Sequence, residues 1–284
     1  MYNLRYHIAS LVAVFLALSL GLILGGVTVQ SGAVTKQRAA LVAGLRDDFA
    51  KLSEENTALH GDLELQDKLA EGLVAANTSQ RLAGKHVLVL TNTGQVDGLP
   101  EAEAAVEGAG GKAAVMALAM PDLGAEESKV ASDLAAYFGT DQPGDLRERT
   151  AAALAQEWVA GVAGPVTTIL DEAGVLDAGD VPDQGVDGVI DLAAFDGKPD
   201  EGAIALAAAL QKAGMPALAA QTRISTTALA KVGSNSGISA VDTLGTLAGR
   251  YAIALLLSGA EPGYYGVGSG AVAPFPALPG AEGQ

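Results

Sequence analysis

No side chain between residues 8 and 35 carries a charge, and residues 8–29 (IASLVAVFLALSLGLILGGVTV) are apolar apart from Ser10, Ser19 and Thr28. As a helix those 22 residues reach about 33 Å, which matches the ~30 Å hydrocarbon core of a bilayer. The apolar region of a secretory signal is shorter, ~7–15 residues, and no small-x-small cleavage site closes this one, so residues 1–35 read as an uncleaved transmembrane anchor. Arg5 on one side and Lys36, Arg38 and Arg46 on the other nearly balance, so charge alone leaves the orientation open. Seven residues precede the span and the folded mass follows it. That layout is the usual one of a signal-anchor protein and places the N-terminus inside and the C-terminal domain outside the cytoplasmic membrane. Within the span, Gly21 and Gly25 form a small-x-x-x-small pattern that lets two helices approach closely, although glycine is common in membrane helices for other reasons.

Residues 36–80 carry apolar positions at alternating spacings of three and four. With Val42, Phe49, Asn56, Leu63 and Ala70 at a, and Leu45, Leu52, Leu59, Gln66 and Leu73 at d, eight of the ten seam positions are apolar. A buried Asn at one a position fixes register and favours two parallel strands, so the expected partner is a second copy of the chain in a parallel coiled-coil homodimer. A helix folded back on its own domain would show similar leucines. Against that, the seam is narrow and the other faces carry Asp47, Asp48, Lys51, Glu54, Glu55, Asp62, Glu64, Asp67, Lys68 and Glu71. Gly44, Gly61 and Gly72 each cost roughly 1 kcal/mol of helix propensity relative to Ala. From residue 42 to 73 the coil would hold the following domain roughly 48 Å from the membrane.

From residue 84 the pattern changes to short, continuous apolar runs, as in strands buried on both faces. Strands are expected at residues 85–91, 112–120, 186–195, 215–221 and 237–242, and helices at 101–109, 126–138, 145–162, 201–213 and 244–258. This alternation implies βαβ units and an α/β, doubly wound, mostly parallel sheet over residues 84–260. A Gly/Pro-rich tail, 261–284, follows, with Pro262, Pro274, Pro276 and Pro279.

Ligands in such sheets bind at strand carboxyl ends, which points to residues 91–98. That exit lacks a Gly-x-Gly-x-x-Gly pattern and a P-loop Lys-Ser/Thr, so nucleotide binding is unsupported. The dense glycine run at 263–270 (GYYGVGSG) follows a helix and reads as a flexible or family-specific loop. Gly233-Ser234-Asn235-Ser236-Gly237 has Asn where a nucleophile elbow needs Ser, and reads as a loop. A net charge of −16, from 17 Lys+Arg against 33 Asp+Glu, excludes a phosphate-backbone surface, so no nucleic-acid partner is expected. No Cys, 3 His and 4 Met leave few soft metal ligands, and His7, His60 and His86 stand at no metal-ligand spacing. Met116 and Met120 read as core, as does Trp158. The acids at 126–127 and 180–191 read as solvated surface. No catalytic residue, metal site or cofactor is nominated, and the expectation is a non-enzymatic protein.

The segment Leu4-Arg5-Tyr6-His7-Ile8-Ala9-Ser10-Leu11-Val12-Ala13-Val14-Phe15-Leu16-Ala17-Leu18, followed by Gly21 and Leu24-Gly25, resembles the opening of the actinobacterial MctB family, often called copper transporters. The coil, the Gly84-Lys85 entry into the first strand and Tyr265-Gly266-Val267-Gly268-Ser269-Gly270-Ala271 fit the same resemblance. The resemblance implies either a channel of the outer membrane that limits intracellular copper, or a role like the related SteB proteins in envelope integrity and cell separation with a membrane partner, SteA. A closed barrel needs ~10-residue alternating strands, which this sequence lacks, and a Cu(I) site wants Cys or clustered Met. The expected function is therefore a dimeric, membrane-anchored envelope scaffold whose α/β head binds a SteA-type protein or a cell-wall ligand. Copper transport or efflux, with an outer-membrane location, is the alternative that the family name carries.

Overall fold

The computed structural model describes residues 4–30, 33–94, 97–182 and 185–278, and the chain divides into two units, Met1–Lys68 and Leu69–Gln284. In the first unit, α1 (Leu4–Gln30) contains the charge-free run. From Arg5 to Gly26 it is long and apolar enough to cross a membrane. Its Ser19 hydroxyl donates to the Phe15 carbonyl at 2.8 Å, which satisfies the polar group within the helix, as a lipid surrounding requires. After residues 31–32, α2 (Ala33–Thr78) runs as one 46-residue helix. It passes through Gly44, Gly61 and Gly72 without a break, so three glycines in a long run of good helix formers do not end it.

The second unit takes in the last turns of α2 and the α/β head. Its six-stranded sheet has the order β2-β1-β3-β6-β7-β8, with every pairing parallel. The strands are β1 (His86–Asn92), β2 (Lys112–Leu118), β3 (Gly188–Asp191), β6 (Ala217–Thr222), β7 (Ser239–Leu244) and β8 (Tyr264–Tyr265), while β4 (Ala194–Phe195) and β5 (Lys198–Pro199) form a separate antiparallel hairpin. Asp196 and Gly197 make its turn, both with positive φ (50° and 73°), which is the Asp-Gly chemistry of a two-residue hairpin.

Alternate residues of each strand enter two separate hydrophobic clusters, which is why the runs are apolar throughout. Val87, Val89, Ile190, Leu218 and Val241 join α3 (Leu99–Gly108) and α9 (Leu247–Leu257). Leu88, Leu90, Met116, Val189 and Ala219 join α4 (Ser128–Phe138), α5 (Pro143–Val159), α6 (Pro165–Glu172), α7 (Glu201–Lys212) and Leu229 of α8 (Leu229–Asn235). Trp158 lies in the second cluster, 2% exposed. At the entry to β1, the Lys85 ammonium donates to the Leu257 carbonyl at 3.2 Å, a cation at a helix C-terminus.

Three expectations need correction. The strand expected at 186–195 stops at Asp191, because the chain turns there into the β4–β5 hairpin. The run 233–237, expected as a loop, places Gly233, Ser234 and Asn235 in α8. Gly233 sits there because a side chain would press on Ala219 of β6. The glycine run 263–270, expected as a flexible or family-specific loop, supplies β8 at two of its residues, Tyr264 and Tyr265, which pair with Ala240 and Val241.

Candidate functional site

With all six strands parallel, their carboxyl ends share one edge, and the crossover direction reverses between β1 and β3, the position where open α/β sheets bind ligands. Thr91 and Asn92 end β1, Asp191 ends β3, Thr222 ends β6 and Thr243 lies near the end of β7. Thr91 Oγ1, Asn92 Oδ1, Asp191 Oδ2 and Thr243 Oγ1 are buried without a hydrogen-bond partner among the described residues. Thr222 Oγ1 donates to Asp97 Oδ1 at 3.4 Å. Gly98 then turns the chain into α3 with φ 83°, and a side chain there would meet Leu244 at 2.9 Å. Residues 95–96 of the expected exit lie outside the described residues.

The acids at 180–191 do not all face solvent. Asp191 is fully buried. Its Oδ1 accepts from Ala193 N–H at 2.9 Å, yet burial pushes the carboxyl up to about 8 against that hydrogen bond, and nearby Asp200 adds to the rise. An isolated buried carboxylate is too poorly solvated to stay charged, so Asp191 holds its proton at neutral pH. Asp200 caps α7 by accepting from Ala203 N–H at 2.6 Å, and its other oxygen accepts from Asp122 N–H at 2.7 Å. Burial raises its pKa against those hydrogen bonds. Arg147 on α5 reaches Asp122 at 3.3 Å and Glu201 at 2.6 Å. Burial still holds Asp122 above the usual carboxylate range, with Arg147 opposing. The sequence signal that was missed is an acid at the last position of an apolar strand, Val189-Ile190-Asp191.

At the other side of the same edge, the segment after β8 wraps the carboxylate of Asp242, which is 6% exposed. Oδ1 accepts from Val267 N–H at 2.9 Å, and Oδ2 accepts from Gly268 N–H at 2.6 Å and the Tyr264 hydroxyl at 2.8 Å. Burial first, then the bond to Asp242, pushes the Tyr264 phenol up to about 12, so it remains a donor at any physiological pH. A side chain on Gly266, whose φ is 142°, would overlap Asp242 Oδ1, and one on Gly268 would overlap the Tyr264 hydroxyl. The Gly-x-Gly spacing thus serves a close approach of backbone to carboxylate. Gly266→Ala is expected to expel the loop, costing about 2–3 kcal/mol of stability by overpacking. Urea unfolding and faster proteolysis between residues 263 and 273 would register it; an unchanged cleavage pattern would contradict the wrapped geometry.

The seam residues Val42, Leu45, Phe49, Leu52, Asn56, Leu59, Leu63, Gln66, Ala70 and Leu73 all lie on α2. All are exposed in the single chain except half-buried Ala70. Gly21 and Gly25 lie on α1 in a shallow groove with Ala17, Leu18 and Leu22, and a side chain on either would meet nothing within 4 Å. His60 Nδ1 is 2.7 Å from the Asn56 carbonyl, and the backbone N–H of His86 donates to Asp187 Oδ2 at 2.8 Å. Among the described residues no group of three or more His, Cys, Asp or Glu could hold a metal ion. Met116 and Met215 belong to the hydrophobic core and Met120 packs against it, so these thioethers are not gathered for a soft cation.

A family model described as copper transport outer membrane protein, MctB, matches residues 1–276. No curated protein and no solved structure matches the chain.

Proposed function

The chain belongs to the MctB family, and from the exposed apolar stripe on α2 we propose that it is a dimeric, non-enzymatic scaffold of the cell envelope. In this reading α1 crosses the cytoplasmic membrane with the N-terminus inside. The α2 helices of two chains form a parallel coiled coil, and the head is a doubly wound binding module for a second membrane protein of SteA type or a cell-wall ligand. The observation that carries it is the stripe on α2. Val42, Leu45, Phe49, Leu52, Leu59, Leu63 and Leu73 are 48–70% exposed in the single chain, at heptad spacing on a helix otherwise rich in charge. Fully burying each such side chain is worth about 1.5–3 kcal/mol, and a second copy in register meets leucine with leucine and Asn56 with Asn56.

A chain without cysteine makes the test clean. Leu52→Cys, oxidised in native membranes, is expected to give one disulfide-linked dimer, because facing d positions of a parallel coil bring the two sulfurs within bonding range. A C-terminal tag on the same protein should be cut by external protease and fractionate with the cytoplasmic membrane. Monomer alone after oxidation removes the coil, and recovery in an outer membrane removes the anchor topology.

The family description favours a second reading, copper transport or efflux. In that case α1 helices must assemble around an ion path, since residues 8–26 of the span offer only the hydroxyls of Ser10 and Ser19. Deletion of the chain that raises cellular copper, with Leu52→Cys still monomeric, would favour this reading over the scaffold.

A further inference from the structure

Across residues 202–260 the chain reverses its charge balance. Lys212, Arg223, Lys231 and Arg250 stand there against a single acid, Asp242, in a sequence of 17 Lys+Arg and 33 Asp+Glu. The fold gathers two of these four cations on one pocket of about 320 Å³ at the carboxyl ends of β6, β7 and β8. Arg223 leaves β6, Lys231 stands on α8, and the Ser225, Thr226 and Ser269 side chains complete a polar wall. Neither cation forms an ion pair among the described residues, whose ion pairs are both made by Arg147.

Asp242 lies in the same pocket but already accepts three hydrogen bonds, from Tyr264, Val267 and Gly268. It is therefore committed to holding the loop; its three donors are neutral and take no charge from it, so the pocket sets two cations, Arg223 and Lys231, against one acid. Two cations outside any ion pair and in excess of one acid, beside three hydroxyls in a cavity at the small end of the ~300–1,000 Å³ range of ligand sites, suit an oxyanion. The guanidinium fork matches two oxygens of a carboxylate or phosphate, and an ammonium adds a point charge. Val267, 66% exposed, lines the same pocket, so an apolar portion of the ligand has surface to lie against.

We infer that this pocket binds a small oxyanion, a phosphate ester or a carboxylate, ion-paired to Arg223 and Lys231. The inference rests on the reading of the head as a ligand-binding module and needs neither the dimer nor the membrane orientation.

The test is calorimetric titration of the full chain in nanodiscs with inorganic phosphate and, separately, with acetate. Saturable binding at one site per chain is expected for at least one of them. Arg223→Ala and Lys231→Ala should each weaken it about tenfold, the worth of one lost charge-assisted hydrogen bond, while Arg149→Ala, an exposed cation on α5, leaves it unchanged. Phosphate binding alone assigns a phosphate ester, and acetate binding alone assigns a carboxylate. No saturable binding of either, or equal binding by all three variants, overturns the inference. Cross-linking of the Leu52→Cys variant reports on the coil in a separate sample, so a dimer that binds no anion defeats only the pocket, and a monomer that binds anion defeats only the coil.

Discussion

Asp191→Asn is expected to stabilise the head by several kcal/mol at pH 7–8 and to remove most of the fall in its stability between pH 4 and pH 8. The carboxyl titrates at about 8 in the folded protein, against 3.8 for an unburied aspartate. Between those values the folded state keeps a proton that the unfolded chain has released. Stability is therefore full below pH 4 and declines by about 1.4 kcal/mol per unit as pH rises towards 8. At pH 7 the accumulated loss is on the order of 4 kcal/mol. Asn keeps an oxygen for the Ala193 N–H and has no proton to lose, so its stability curve loses that slope. Asp122 and Asp200 are also raised by burial, and their loss of stability runs in the same direction, which leaves a smaller residual slope in the variant. Urea unfolding at pH 5, 6, 7 and 8 reads this directly through Trp158, the one tryptophan of the chain, which sits in the same cluster as Val189. Identical slopes in wild type and variant would show that Asp191 is not the titrating group.

The second large effect belongs to α2. Replacing both Leu52 and Leu59 with Glu places four carboxylates in the seam of the proposed dimer and removes four buried leucines. At about 1.5–3 kcal/mol each, the apolar loss alone is on the order of 6 kcal/mol or more. That corresponds to more than a ten-thousandfold rise in the dissociation constant. Asn56→Leu should act the other way, tightening association while relaxing the choice of oligomer. Sedimentation in density-matched detergent distinguishes these outcomes, and circular dichroism shows whether α2 stays helical. A Leu52/Leu59 variant that sediments as the wild type does would remove the seam, and an Asn56→Leu protein of unchanged association would move Asn56 off it.

Most element positions in the head were legible because the strands are buried on both sides. The run Val87-Leu88-Val89-Leu90 has one reading as a strand, and the expected strand, 85–91, is offset by a single residue from the observed His86–Asn92. The α7 and α9 starts carry their own signals, since Asp200 and Thr246 cap the helices by accepting from Ala203 and Gly249. What was missed depends on partners distant in sequence. The start of α6 has no cap of its own, and Glu157 of α5 accepts from Val166 and Thr167 N–H instead. The start of α8 follows Ala228 in a left-handed conformation with no cap of its own, and Gln221 of β6 accepts from Ala230 N–H instead, which no propensity scale anticipates. Asp191 resembles a surface acid because burial is a property of its neighbours. The glycines of the 263–270 run announce a tight backbone, but the carboxylate they approach lies more than twenty residues upstream.

That separation constrains the order in which the head matures. Asp242 is synthesised well before Tyr264, Val267 and Gly268, its three donors, which follow at separations of 22, 25 and 26 residues. Until they arrive, docking β7 into the sheet would leave the Asp242 carboxylate without those three hydrogen bonds, an intermediate that is disfavoured. The last sheet pairing and the hydrogen bonding of Asp242 are thus a single late event, and a chain halted before residue 268 is left with an open sheet edge, the kind of surface that invites association.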